Sequence, residues 1–405
     1  MVPSGWEKHP VGKICSSIVP GRNKPKQFGG DIAWVTTPEI TGKFIPSSVQ
    51  ENYISEETIK ECGGKIVPKG AVVMAAVGDL GLIAITKEEV VLNQQLHAFV
   101  CSSKINNEFL AYWLGTQTPY MESVASKTTI LYLNKTNCES IPVLVPPILE
   151  QQKIANILST WDKAISTTER LIDNSTQQKK ALMQQLLTGK KRLLDDEGKR
   201  FVGEWNKKTL ADICSKTISY GIVQTGEHVK DGVPCVRVVD LTQKTVSKND
   251  MITTSDEINQ SYNKTILESG EVMMALRGVV GLVRLVNEDL VGSNITRGLA
   301  RLAPKNELIK SDFFLWILRS SYVKNELMRK VGGSSLQEIS LTALRKVQIP
   351  FPSLQEQQKI ANVLTNADKV IELLEQQLAD LHQEKKALMQ VLLTGKKRVV
   401  VDGTF

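Results

Sequence analysis

The chain has 405 residues, enough for two or three domains that each bury a core of their own. Its composition, 41% hydrophobic and 23% charged, excludes a disordered or fibrous chain. The formal net charge of +7 is not concentrated: no segment has the strong basic excess of a protein that simply coats DNA.

No segment of the sequence has the features of a membrane or export signal. The most apolar stretch, residues 70–85, is too short to span a bilayer and contains Asp79. The N-terminus has neither a basic region nor an apolar segment, and the six cysteines include no Cys-x-x-Cys pair. We therefore expect a cytoplasmic protein without membrane association, disulfides or a metal site.

The first segment of the chain, residues 1–145, is charge-balanced, with 13 basic and 13 acidic side chains. Its single arginine, Arg22, lies in a basic loop at residues 22–26. Three amide side chains follow one another at residues 93–95. A segment of this length and composition is predicted to form a domain.

A long helix is predicted within residues 146–192. Prolines precede it, Glu150 lies in its first turn, and Gly189 followed by lysines ends it. From Ile148 to Thr188 the helix would be about 60 Å long, and its apolar positions recur about every 3.5 residues, as in a coiled coil. This seam comprises Ile154, Leu158, Trp161, Ile165, Thr168, Ile172, Ser175, Lys179, Leu182 and Leu186.

The next segment, residues 193–351, repeats features of the first at an offset of about 200 residues. Trp205 matches Trp6, and the apolar run at residues 270–275 matches residues 70–75. This segment holds nine arginines where the first segment has one. The similarity predicts a second domain of the same kind with a different surface chemistry.

Residues 352–398 repeat residues 146–192 at an offset of 206, with 27 of 47 aligned positions identical. Identity at this level excludes chance and predicts a second long helix. Its seam comprises Ile360, Leu364, Ala367, Ile371, Leu374, Leu378, Leu381, Lys385, Leu388 and Leu392.

Two such helices in one chain are expected to pair as an antiparallel coiled coil. The numbers of paired seam residues then sum to about 546, which puts Lys385 beside Trp161 and Lys179 beside Ala367. The aliphatic stem of Lys385 would cover the Trp161 ring. The alternative is a coiled coil between two chains.

The last residues, 399–405, follow Arg398 and resemble the residues that follow Arg192 and precede the second domain. The organisation is that of a ring opened at one point. It predicts that the tail returns toward the N-terminus.

The motifs EQQKIA, KKALMQ and LLTGKKR, in this alternating order of segments, resemble the DNA-specificity subunits of type I restriction-modification systems. The resemblance covers essentially the whole chain. It implies an α+β fold in which two mixed α/β target recognition domains, residues 1–145 and 193–351, alternate with two long spacer helices in a pseudo-two-fold internal repeat.

The resemblance also implies a function and partners. Each recognition domain would read one half of a bipartite, gapped site in double-stranded DNA, and the helices would set the spacing and dock two methylation subunits. Restriction subunits would complete the complex. S-adenosylmethionine, ATP and Mg would be bound by the partner subunits and none of them by this chain.

The sequence has no recognisable catalytic motif. The motif that holds a flipped adenine has an acidic or amide residue before Pro-Pro and an aromatic after it, and residues 145–148 (VPPI) do not match. Residues 188–191 (TGKK) lack the upstream glycine and the hydroxyl of a phosphate-binding loop. The two LTGKK segments are most simply helix caps, with phosphate contact or subunit docking as alternatives.

Candidate DNA contacts follow from side-chain chemistry, since arginine suits guanine, asparagine or glutamine suits adenine, and phosphates accept cations and hydroxyls. In the first domain they are Arg22, Lys24, Lys26, Thr36, Asn93, Gln94, Gln95, Thr128 and Thr129. In the second domain they are Tyr220, Gln224, Thr225, Arg237, Arg277, Arg297, Arg301, Ser334 and Ser335. We expect arginine to read guanine in the second half-site, and amides and lysines to read the first. For any one residue the alternative is a surface ion pair or a hydrogen bond at the edge of the core.

Two other functions fit the sequence. One is a coiled-coil scaffold that binds only proteins, which salt-dependent retention of one gapped duplex would exclude. The other is the specificity subunit of a related defence or modification system, which the neighbouring genes would reveal.

Overall fold

The computed structural model describes residues 2–127, 130–243, 246–248, 251–332 and 337–400. The chain divides into two compact units: unit 1 is Met1–Glu169 with Gln377–Phe405, and unit 2 is Arg170–Gln376. Each unit therefore combines one sheet-containing domain with one part of each long helix.

Short strands make up most of unit 1. They are β1 (Glu7–Pro10), β2 (Cys15–Ile18), β3 (Ile32–Val35), β4 (Phe44–Ile45), β5 (Tyr53–Ile54), β6 (Ile66–Val67), β7 (Val72–Ala75), β8 (Ile83–Thr86), β9 (Val90–Leu92), β10 (Leu96–Cys101), β11 (Ser126–Lys127), β12 (Leu131–Tyr132) and β13 (Pro142–Val145). The helices that begin in this unit are α1 (Glu56–Cys62), α2 (Asn107–Gly115), α3 (Thr118–Val124), α4 (Lys135–Glu139) and α5 (Ile148–Leu186).

Unit 2 repeats this mixture of strands and helices. Its strands are β14 (Asn206–Thr209), β15 (Ser219–Tyr220), β16 (Val233–Val236), β17 (Ile252–Thr254), β18 (Val272–Ala275), β19 (Val283–Leu285), β20 (Asn294–Ile295), β21 (Leu299–Leu302) and β22 (Gln348–Phe351). Its helices are α6 (Leu210–Ile213), α7 (Val238–Thr242), α8 (Asp256–Ser261), α9 (Ser311–Leu318), α10 (Ser321–Met328), α11 (Leu341–Arg345) and α12 (Leu354–Leu392).

The sheets of the two domains have matching topology. Unit 1 has a 5-stranded sheet in the order β2-β10-β7-β8-β4 and a 4-stranded sheet in the order β5-β3-β9-β6. In unit 2 the order β15-β21-β18-β19 repeats β2-β10-β7-β8, and the parallel pair β16 and β20 repeats the parallel pair β3 and β9. All four residues of β7 and of β18 are buried, as expected for apolar runs in central strands. The predicted internal repeat is confirmed.

The two long helices, α5 and α12, have 39 residues each, which makes them about 58 Å long. Each ends before a glycine with φ of 69°, Gly189 or Gly395, and the N–H two residues further on bonds a carbonyl of the last turn. The prediction that the LTGKK segments are helix caps is confirmed. Among the described residues, no helix has both the length and the hydropathy needed to cross a membrane.

Within each unit the two helices run antiparallel. In unit 1 the start of α5 and the end of α12 share one core, and Lys385 Nζ lies 2.5 Å from Asp162 Oδ1. In unit 2 the end of α5 and the start of α12 share the other core, and Lys179 pairs with Asp368. The two residue numbers in each pair sum to 547, whereas the predicted sum is about 546. The predicted register of the antiparallel helices is therefore confirmed to within one residue.

The predicted seam faces inward along both helices. Its buried members are Ile154, Leu158, Ile165, Thr168, Leu186, Ile360, Leu364 and Leu392. Its half-buried members are Trp161, Ile172, Ser175, Lys179, Leu182, Ala367, Ile371, Leu374, Leu378, Leu381, Lys385 and Leu388. The Lys385 ammonium group is held by Asp162 and lies 5.6 Å from the centre of the Tyr112 ring. Contact of the Lys385 stem with Trp161 stays a prediction.

The two ends of the described chain meet within unit 1. Arg398 forms two hydrogen bonds of 2.7 Å with the buried carboxylate of Glu150, and it donates a third to the carbonyl of Ser4. Arg192 binds Glu356 in unit 2 in the same way, with two bonds of 2.6 Å. Arg398, after which the predicted tail begins, thus lies beside the N-terminal segment, and the return of residues 399–405 toward the N-terminus stays a prediction.

Candidate nucleic-acid interface

Two turns hold equivalent positions in the two domains. Residues 93–95 connect β9 to β10, and residues 296–298 connect β20 to β21. The same backbone hydrogen bond closes each turn, from Leu96 N to Asn93 O at 3.2 Å and from Leu299 N to Thr296 O at 2.9 Å. Gln94 and Arg297 are therefore the middle residues of matching turns.

In unit 1 the turn borders a cavity of about 450 Å³. The cavity brings together predicted DNA contacts from three separate parts of the sequence, namely Arg22, Lys24, Thr36, Asn93, Gln94 and Gln95. Its lining has two cationic side chains and, among the described residues, no carboxylate. This combination of amides and cations suits the edge of a base next to a phosphate.

The buried carboxylate of Glu39 organises one wall of this cavity. Its Oε2 accepts hydrogen bonds of 2.7 Å from both the backbone N–H and the hydroxyl of Thr36, and its Oε1 accepts one of 3.0 Å from Asn52. Burial acts to raise the pKa of Glu39, but the hydrogen bonds from Thr36, Asn52 and Glu51 lower it below its usual range. The ionised carboxylate therefore fixes the side chains of Thr36 and Asn52.

Sequence reasoning missed Glu39, although Thr36-x-x-Glu39 is a capping-box pattern that could have indicated it. It also missed Phe28 and Trp34, whose rings line the cavity with their centres 5.6 Å apart. Phe28 is 47% exposed and offers an apolar surface that a base or a thymine methyl group could contact. No local pattern in the sequence marks these two rings.

The amides of the turn are not equally available. Asn93 Nδ2 donates to Gln95 Oε1 at 3.2 Å, and the Thr37 hydroxyl donates to the same oxygen at 3.3 Å. Gln94 is exposed, and within the described part of the chain its amide has no hydrogen-bond partner. Among the described residues, Gln94 is therefore the amide of this turn whose oxygen and NH₂ group are both free to bond a ligand.

In unit 2 the matching turn borders a cavity of about 420 Å³. It brings together three predicted contacts, Tyr220, Arg277 and Arg297, with Glu338 also in the wall. Arg277 Nη2 lies 3.1 Å from Glu338 Oε1, so this arginine is already paired. Arg297 is exposed, and among the described residues its guanidinium has no partner.

The other two arginines predicted to contact DNA are engaged with the protein. Arg237 Nη2 lies 2.8 Å from Asp240 Oδ1, and this bond raises the pKa of Arg237 further. Arg301 is only 5% exposed, and its Nη1 donates to the carbonyl of Ile266 at 2.9 Å. The prediction for Arg301 is therefore corrected, because a side chain buried in β21 supports the sheet and does not reach the surface.

The remaining predicted contacts line neither cavity. Lys26 and Gln224 are exposed, and Thr225 is half-buried with its carbonyl accepting a hydrogen bond of 2.7 Å from the Thr254 hydroxyl. Four predicted contacts lie outside the described residues, namely Thr128, Thr129, Ser334 and Ser335.

Known proteins resemble this chain over most of its length. The type I restriction enzyme MjaVIII specificity subunit of Methanocaldococcus jannaschii is 24% identical over 418 aligned positions, covering 98% of this chain and 94% of that protein. The EcoBI specificity subunit of Escherichia coli is 25% identical over 304 positions, covering 70% of this chain and 63% of that protein.

Solved structures share the fold. The S subunit of a type I restriction-modification system from M. genitalium superposes with a TM-score of 0.59 at 16% identity, and the match covers 96% of each chain. A chain from a structural study of complex assembly and conformational transition in a type I restriction-modification system gives a TM-score of 0.57 at 16% identity. That match covers 98% of this chain and 100% of the other.

The family model of the type I restriction modification DNA specificity domain matches this chain twice, at residues 3–174 and 203–383. The two matches fall on the two repeats, and each contains one of the matching turns with the cavity beside it. The chain belongs to the family of type I restriction-modification DNA specificity subunits.

Proposed function

We propose that this specificity subunit recognises a bipartite, gapped site in double-stranded DNA, with each unit reading one half. The observation that carries the proposal is the pair of equivalent turns whose exposed middle residues, Gln94 and Arg297, differ in chemistry. Two domains that share a fold but carry different side chains at the same position are suited to two half-sites of different sequence.

In this proposal the two halves differ in the base that each turn reads. The free amide of Gln94 can bond the N6 and N7 edge of adenine, whereas the free guanidinium of Arg297 can bond O6 and N7 of guanine. Arg22 and Lys24 beside the first turn supply phosphate contacts. The second half-site is therefore expected to contain a guanine that depends on Arg297.

The chain acts in this proposal without catalytic groups of its own. Two methylation subunits dock on α5 and α12 and carry S-adenosylmethionine, and restriction subunits carry ATP and Mg. The relatives support this division of labour, because they are named as specificity subunits of type I restriction enzymes. The site of action is cytoplasmic DNA.

The test begins with the complex of this chain and the methylation subunits of its own system. Methylome sequencing identifies the site that the unmodified complex modifies. Arg297→Gln should relax the requirement for one guanine in the second half-site, with a loss of discrimination of about 1–3 kcal/mol, and leave the first half-site unchanged.

Arg200→Gln is the matched control, because Arg200 is an exposed arginine of unit 2 that does not line the cavity. It should leave the methylated motif unchanged. An unaltered motif with Arg297→Gln would contradict the assignment of Arg297, and failure to retain any gapped duplex would favour the protein-binding scaffold.

A further inference from the structure

A second cavity of unit 2, of about 340 Å³, lies between the C-terminal part of α5 and the junction of α9 and α10. Its wall carries four cationic side chains, Lys179, Lys180, Arg319 and Lys324, and the hydroxyl of Ser321. It shares no residue with the cavity at the turn of residues 296–298.

Only part of this positive charge is compensated. Lys179 forms an ion pair with Asp368, and Arg319 Nη1 lies 3.8 Å from the same carboxylate. Lys180 and Lys324 are exposed, and neither has an ion-pair partner within the described part of the chain. One carboxylate therefore lies near two of the four cations, and among the described residues the other two have no counter-charge.

The corresponding place in unit 1 has a similar framework. Tyr112 there matches Trp316, because a lysine of the long helix lies over each ring, Lys385 at 5.6 Å and Lys179 at 5.3 Å from the ring centre. Asp162 pairs with Lys385 as Asp368 pairs with Lys179. The lysine, the carboxylate and the ring thus belong to the shared fold.

The charges around this framework differ between the units. In unit 1 the residue three positions after the ring is Gly115, whereas in unit 2 it is Arg319. Unit 1 adds Lys43 and Glu108, which pair at 2.7 Å. With Lys386 at the position of Lys180, unit 1 has three cations against two carboxylates, whereas unit 2 has four against one. The surplus positive charge of unit 2 is therefore not a requirement of the fold.

Arg319 is held where its charge is poorly compensated. Burial lowers the pKa of its guanidinium, Asp368 opposes this effect, and the nearby Arg284 adds to it. The guanidinium also lies 5.1 Å from the centre of the Trp316 ring. An anion in the cavity would stabilise this group by supplying the missing negative charge.

The cavity continues toward the candidate DNA surface. Arg319 and Lys324 also line the cavity beneath the turn at residues 278–281, and this turn follows Arg277 directly. Arg277 lines the cavity that contains Arg297. Cationic side chains thus lie at both ends of the turn at residues 278–281, with Arg277 on the side of the proposed base-reading turn and Arg319 and Lys324 on the side of α5.

We propose that the cavity between α5, α9 and α10 binds a phosphate group of the DNA backbone beyond the bases that unit 2 reads. The inference rests on the proposed function of the chain. Lysines, a guanidinium and a hydroxyl around one cavity are donors whose hydrogen bonds phosphate oxygens accept. Arg319 and Lys324 also line the cavity at the turn that follows Arg277, and this placement favours DNA over another anion.

The test uses the complete complex with its methylation subunits and a duplex carrying the site found by methylome sequencing. The double variant Lys180→Gln with Lys324→Gln changes two exposed side chains, so folding should be unaffected. The slope of log affinity against log salt concentration should become shallower by about 1 to 2, while the preferred sequence stays the same.

The charge-matched control is Lys386→Gln with Lys369→Gln. Lys386 occupies the position of Lys180 in the other copy of the repeat, and Lys369 is exposed on α12. This control should leave the salt slope unchanged. If this control makes the salt slope as shallow as the first double variant does, the assignment is overturned, because the change would then reflect net charge alone.

Further outcomes separate the sources of the anion. If the complex binds the duplex and the first double variant keeps the original slope, no phosphate contact exists in the cavity. If the variant instead weakens assembly with the methylation subunits in the absence of DNA, a partner carboxylate occupies it. If only binding of inorganic phosphate to the free chain is lost, the ligand is a free anion. Each of these three results overturns the proposal. Failure of the unmodified complex to retain any duplex would remove the proposed function as well.

Discussion

At the residue scale, the environment of His97 links burial to acid stability. His97 is 3% exposed, its ring centre lies 4.8 Å from that of Phe99, and its Nε2 lies 3.2 Å from the Ser17 hydroxyl. Burial lowers the pKa of His97 to about 4; Glu139 opposes this effect and Lys135 adds to it. The folded chain therefore keeps this ring neutral at pH values where an unfolded chain would protonate it.

This difference predicts acid sensitivity of unit 1. Because the pKa of histidine in an unfolded chain is about 6.5, the contribution of His97 to the free energy of unfolding is complete above about pH 6.5 and falls as the pH drops toward 4. The loss would reach about 3 kcal/mol. His97→Gln should flatten this dependence in urea unfolding between about pH 7.5 and 4.5, whereas the exposed-site control His382→Gln should retain it. Equal pH dependence in the two variants would contradict the argument.

Single residues also show where sequence reasoning stops. The residue types expected at a DNA surface were identified, and Arg22, Lys24, Thr36 and residues 93–95 do meet at one cavity. Whether a given arginine is free could not be predicted. Glu338, which pairs with Arg277, lies 61 positions further along the chain, and only folding brings the two together.

At the element scale, the long helices were predictable and the strands were not. A helix forms from hydrogen bonds between near neighbours, so 39 residues of regular apolar spacing are sufficient to reveal it. Many strands here have only two to four residues, and β7 and β18 are buried on both faces, so no alternation of apolar and polar residues marks them.

The helix ends lead to a prediction about Gly395 and Gly189. Both have φ of 69°, where a side chain costs about 1–3 kcal/mol. A β-carbon on Gly395 would also lie 2.5 Å from Pro3 Cγ, whereas one on Gly189 would lie 3.2 Å from Trp205 Cε2. Gly395→Ala should therefore lower the free energy of unfolding more than Gly189→Ala does.

The control for this comparison is Gly42→Ala, because a β-carbon on Gly42 meets nothing within 4 Å. Denaturant unfolding of the three variants gives the ranking directly. If Gly395→Ala lowers the free energy of unfolding no more than Gly42→Ala does, the helix caps do not depend on glycine.

At the scale of the whole molecule, each unit has a core of its own to which both long helices contribute, and Arg398 ties the C-terminal segment to Ser4 within unit 1. The segment between α5 and β14 contains a turn in which the backbone N–H of Asp195 donates a hydrogen bond of 2.7 Å to the carbonyl of Lys199. Opening the chain at this turn would cut neither core.

This organisation predicts that a circular permutant folds. Joining the segment after Arg398 to the segment before Ser4 through a short linker, and opening the chain between Glu197 and Gly198, should change the melting temperature by no more than about 5 °C and leave the methylated motif unchanged. A permutant opened between Val73 and Met74, inside the buried strand β7, should not fold. Loss of folding in the first permutant would contradict the ring-like organisation.

By itself, the sequence determined the internal repeat, the two long helices, their antiparallel register and the kinds of side chain offered to DNA, because repeats and helical periodicity are recorded in the order of the residues. The tertiary structure alone decided which of those side chains share a cavity and which are already paired. Within the described part of the chain Arg297 and Gln94 have no partner, whereas Arg301 is buried and Arg277 pairs with Glu338, because these contacts exist only after the strands have assembled.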